Sequence, residues 1–61
     1  MTGKQVIKKL EEVGWNIIRI TGSHHILSNG QIKVSVPVHS GKDIKSGTLH
    51  SIEKQSGVRL K

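Results

Sequence analysis

The chain has no cysteine, tyrosine or phenylalanine, one tryptophan and one proline in 61 residues. Without cysteine there is neither a disulfide staple nor thiolate chemistry, which suits a reducing cytoplasm. A lone aromatic, Trp15, cannot build the stacking platform on which single-strand binders lay successive bases. Long apolar runs are missing too. Stretches such as Ile17-Ile18 are far too short for a signal peptide or a membrane span. Acidic residues are scarce, four against ten Lys and Arg, giving +6 at pH 7 with the histidines neutral. A chain this short buries only ~60% of its unfolded surface, so residues 1–61 read as a single soluble domain of slight net stability.

The charge excess attracts polyanions by counterion release and long-range steering. A solvated basic surface or an acidic protein partner fits the same field, so charge alone does not choose among them.

Local signals give the order of elements. Thr2 and Gln5 form a capping-box pattern, and Val6, Ile7, Leu10 and Val13 follow at helical spacing until Gly14 stops the helix. Trp15 to Thr21 is β-rich and reads as a first strand, broken at Gly22-Ser23. A second strand runs from about His24 to Ser28. Asn29-Gly30 signals a two-residue hairpin, and Ile32, Val34, Val36 and Val38 then alternate with polar residues. Pro37 places that end of the third strand at a sheet edge. His39 to Lys45 is a polar loop. Ser46 is a candidate cap for a second helix, with Leu49 and Ile52 inward, Gly57 as its stop, and Val58 and Leu60 folding back. The expected fold is α+β, ordered α-β-β-β-α: a three-stranded antiparallel sheet with two helices on one face, as in double-stranded-RNA-binding domains.

A two-residue loop at Asn29-Gly30 would pair Leu27 with Ile32, His25 with Val34 and His24 with Ser35. Side chains alternate along a strand, and paired residues share a face. His25 and Leu27 then join Ile18, Ile20, Ile32, Val34 and Val36 on the apolar face. The open face carries His24, Arg19, Thr21, Lys33 and Ser35. There His24 is a titratable group among cations, beside a glycine turn that lets a ligand approach the backbone. Positive neighbours disfavour a charged imidazole, and a neutral one can take the proton of an RNA 2′-OH for attack on the adjacent phosphorus. Arg19 and Lys33 are candidate phosphate contacts.

The other histidines read more plainly. His25 belongs to the core margin, His39 either caps a loop or reaches the site, and His50 sits on a helix face where it is solvated or touches phosphate. Adjacent His24 and His25 point to opposite faces, and no cysteine or carboxylate cluster completes a metal set, so no metal site is expected. Ser23 precedes His24 but has no acidic residue placed to orient a base, which argues against serine-hydrolase chemistry.

Three segments together resemble one known family. Gly14-Trp15 with Arg19-Ile20-Thr21-Gly22-Ser23-His24-His25 is similar to the GSHH segment of HicA toxins. Val36-Pro37-Val38-His39 resembles that family's VPxH segment, and Gly47-Thr48-Leu49-His50-Ser51-Ile52 its GTLxSI helix. The resemblance covers nearly the whole chain. It implies a ribosome-independent mRNA interferase with mRNA as substrate, His24 as the catalytic histidine and Gly22 as the glycine shaping its turn. It also implies a HicB-like antitoxin that covers the active site, and no metal or organic cofactor. His50 stands where many members carry arginine or lysine. The expectation is therefore a metal-independent endoribonuclease toxin with His24 as base and Arg19, Gly22, Ser23 and Lys33 at the substrate. Its rival is a non-catalytic RNA-binding module that reads helix shape and phosphate.

Overall fold

Thr2 starts the first helix by satisfying its orphan amides rather than by propensity. In the computed structural model, which describes residues 1–60, Thr2 Oγ1 accepts from the Gln5 amide and Gln5 Oε1 accepts from the Thr2 amide. Helix α1 spans Gly3–Glu12 and buries Val6, Ile7 and Leu10. Its end is a Schellman arrangement: the Gly14 amide, at φ +96°, donates to Glu11 O and the Trp15 amide to Leu10 O. This termination changes one expectation. Val13 caps the helix outside its stripe and is 59% exposed, while Trp15 turns inward at 3%.

Strands β1 (Asn16–Thr21), β2 (His24–Ser28) and β3 (Lys33–Pro37) form an antiparallel sheet in the order β1-β2-β3. Gly22-Ser23 joins β1 to β2 as a two-residue turn, pairing Thr21 with His24 and Ile20 with His25. The second connection is longer than the expected hairpin. Ser28 pairs with Lys33, Leu27 with Val34, His25 with Val36 and His24 with Pro37, leaving residues 29–32 as the loop. A type I′ turn needs positive φ at both central residues, and Asn29 does not adopt it. Instead Asn29 Oδ1 accepts from the Gln31 and Ile32 amides at 2.9 and 2.8 Å, closing an Asx turn. The register therefore shifts by two residues. An even shift keeps each residue on its expected face, though Ile32 leaves the core for the loop.

β1 departs from expectation more strongly. A bulge between Ile17 and Arg19 interrupts its pairing, and all six residues are exposed, including Ile17, Ile18 and Ile20. Both helices pack over β2 and β3 instead: Val6, Leu10, Leu49 and Ile52 join Leu27, Val34 and Val36 in the buried cluster. His25, on that same face, sits at its margin as expected.

Helix α2 spans Ser46–Ser56 and buries Leu49 and Ile52. Ser46 does not cap it. Lys45, in extended conformation, occupies the N-cap position with no side-chain hydrogen bond, so Ser46 is the first helical residue. Gly57 ends the helix at φ +72°. Glu53 Oε2 then accepts from the Leu60 amide at 2.8 Å, folding Leu60 back into the core.

The start of the chain braces the loop between β3 and α2. The Ile44 amide donates to Met1 O at 2.8 Å, and Thr2 bridges to Asp43. Gly3 lies so close to Pro37 O and Val38 that a Cβ there has no room. Among the described residues, no helix is long and apolar enough to cross a membrane.

Candidate functional site

The shift in register puts Pro37, rather than Ser35, opposite His24, and this decides what surrounds the histidine. Past Pro37 the chain stays attached to the end of β2, because the Val38 amide donates to Ser23 O at 2.6 Å. The loop that follows turns back beside the sheet, and α2 runs on from it. Between them lies a cavity of about 580 Å³, within the ~300–1,000 Å³ usual for ligand sites. His24, Ser35 and Pro37 line it from the sheet, His39, Lys42 and Lys45 from the loop, and Thr48, Ser51 and Gln55 from α2.

His24 is exposed and its Nδ1 lies 3.3 Å from Ser35 Oγ. When Nδ1–H donates to that hydroxyl, Nε2 carries the lone pair and is free to accept a proton. Gly22 holds φ +59° with open space around it. The turn thus needs glycine for its backbone conformation, and the open space leaves room beside the backbone for a ligand. Ser23 contributes its carbonyl to hold the β3 extension, as above.

The two expected cations lie elsewhere on the His24 face. Arg19 pairs with Ile26, one alternation away from His24, while Lys33 pairs with Ser28 at the far end of β2. Three residues of β3 lie between Lys33 and Pro37, a span of about 13 Å at the usual strand rise. Neither lines the cavity. The cations that do are Lys42 and Lys45, and His39 accompanies them. The loop-cap reading of His39 holds for its backbone, whose carbonyl accepts from the Lys42 amide at 2.8 Å. Its place on the cavity wall matches the other reading, in which His39 reaches the site. His50 lies on another part of α2 and is exposed.

Lys42 and Lys45 are the residues that sequence reasoning missed, whereas His39 stood between two readings. With His24 opposite Pro37, His39 falls two residues past the pair, next to the Gly22-Ser23 turn. The first turn of α2 carries no acidic side chain, so its partly positive N-terminus adds to the field of Lys42 and Lys45. Asp43 also lines the cavity, but its carboxylate is paired with the Met1 ammonium at 3.2 Å. Among the described residues, no three histidine or acidic side chains gather as a metal site. The arrangement can exchange a proton at a histidine next to an anion held by lysines.

Compared with known proteins, the chain matches the family model described as HicA toxin of bacterial toxin-antitoxin over residues 3–58. No curated protein matches it significantly.

Proposed function

The chain belongs to the HicA toxin family, and from that premise we propose that it is an endoribonuclease cutting mRNA without a metal. Membership makes it the toxin of a toxin–antitoxin pair with a cognate antitoxin as partner. The further reading is that the antitoxin is HicB-like and covers His24, that cleavage stops translation, and that the toxin acts in the cytoplasm.

One observation carries the catalytic reading: an exposed histidine, held through Nδ1 by Ser35, on the wall of a cavity with two lysines. RNA contains its own nucleophile. His24 Nε2 takes the 2′-OH proton, O2′ attacks the adjacent phosphorus, and no metal-bound water is needed. Lys42 and Lys45 offset charge on the phosphate oxygens. Gly22 and Ser23, in the turn that leads into His24, give the RNA backbone room to approach it. Arg19 contacts a neighbouring phosphate, and Lys33, farther along the same face, one more distant.

Replacing every 2′-OH of an RNA by 2′-O-methyl removes the nucleophile and leaves the phosphates in place. The protein is expected to bind both RNAs and to cut only the unmodified one, measured by filter binding and gel assay. Cutting of the methylated strand would contradict the mechanism. Binding of both with cleavage of neither would favour the RNA-binding module.

A further inference from the structure

Removing the 2′-OH proton leaves half of the reaction unassigned, because the departing 5′-oxygen needs a proton. We propose that His39 is the general acid that supplies it. The inference rests on the endoribonuclease reading and adds a second catalytic residue to the same cavity.

Two observations place His39 for this role. His24 and His39 line one cavity from different walls, the sheet and the β3–α2 loop. Chain geometry keeps them close, since His24 pairs with Pro37, and Ser23 O holds Val38 just before His39. His39 thus follows two residues after that pair, on the same cavity as His24.

The loop is also held in place. His39 O accepts from the Lys42 amide, Met1 O accepts from the Ile44 amide, and Gly3 packs against Pro37 and Val38. Such bracing matters because proton transfer requires its donor within hydrogen-bond reach.

The remaining charged groups at the cavity are less suited. Lys42 and Lys45 already serve in this reading as the cations that offset charge on the phosphate oxygens. Asp43 is paired with the chain's amino group. The α2 residues facing the cavity, Thr48, Ser51 and Gln55, carry no charge.

The step balances without a co-reactant. His24 Nε2 accepts the 2′-OH proton as the O2′–P bond forms. The P–O5′ bond breaks, and the His39 imidazolium gives its proton to O5′. The products are a 2′,3′-cyclic phosphate and a 5′-hydroxyl. His24 leaves protonated and His39 neutral, and exchange with water restores both.

The test compares wild type, His39→Ala and His39→Gln on two RNAs of one sequence. One has the ordinary 5′-oxygen at the cut site. The other has sulfur there, and a thiolate leaves without needing a proton. On the ordinary RNA both variants should lose about 100-fold or more, while on the sulfur-bridged RNA they should cut near the wild-type rate. The wild-type rate should rise and then fall with pH, because His24 must be neutral and His39 protonated. The variants should lose the alkaline fall. Unchanged cleavage of ordinary RNA by the variants would overturn the proposal, as would equal losses on both substrates, which indicate a binding or structural role. Failure of the wild type to cut either RNA would instead overturn the endoribonuclease reading beneath it.

Discussion

Replacing His24 by alanine is expected to slow RNA cleavage by about 100- to 10,000-fold, the usual contribution of a positioned acid–base group. The loss should fall on the single-turnover rate rather than on RNA affinity, because binding relies on phosphate contacts from several cations. Stability should barely move. His24 is exposed, and its side chain makes one hydrogen bond, to Ser35. Removing such a group typically changes stability by less than about 0.5 kcal/mol. A matching thermal melt and a matching binding curve, beside a collapsed rate, would locate the effect in the chemistry. Ser35→Ala should give a smaller loss, since it frees the ring to rotate but leaves the base. Full cleavage by His24→Ala would remove the histidine from the mechanism.

The second large effect is on folding. Leu27 lies at the centre of the sheet with no solvent exposure, paired with Ile17 on one side and Val34 on the other. Leu27→Ala removes buried methyl groups and leaves a cavity under both helices, at a cost of about 2–5 kcal/mol. A chain of this length has only about 3–9 kcal/mol to lose, so the variant should keep roughly half of the wild-type stability or less. Ile18→Ala should by contrast cost under about 1 kcal/mol, because Ile18 sits in the β1 bulge and is 52% exposed. Urea denaturation midpoints check the pair. Equal losses at the two positions would mean that the helices cover β1 after all.

That contrast also marks what the sequence reveals and what it does not. The capping box at Thr2, the stops at Gly14 and Gly57 and the alternation through Val34 and Val36 are local chemistry, and each appears in the fold as expected. The faces of His24 and His25 were legible too, because side-chain parity survives an even shift in register. An apolar side chain by itself does not reveal that Leu27 is buried and Ile18 exposed. Which strand the helices cover depends on packing across the whole domain, and nothing local in β1 announces its exposure. The Asn29-Gly30 signal likewise conceals a competition. The Asn29 side chain can close a wider turn, and it does so with two amides.

The candidate site divides along the same line. His24 and the Gly22 turn were visible because strand parity and a glycine next to a histidine are short-range patterns. Lys42 and Lys45 were not, and His39 only as one of two readings, because their relation to His24 depends on a loop of four residues rather than two. Arg19 and Lys33 illustrate the converse. They share a face with His24, yet a shared face sets direction and leaves distance along the strand open.

The most direct test identifies the ends left on cleaved RNA. Purified wild-type protein is incubated with a defined RNA in EDTA, and the fragments are analysed by mass spectrometry. Attack by the RNA's own 2′-OH predicts a 2′,3′-cyclic phosphate on one fragment and a 5′-hydroxyl on the other. Fragments with a 3′-hydroxyl and a 5′-phosphate, or cleavage abolished by EDTA and restored by a divalent cation, would contradict a metal-free reaction at His24.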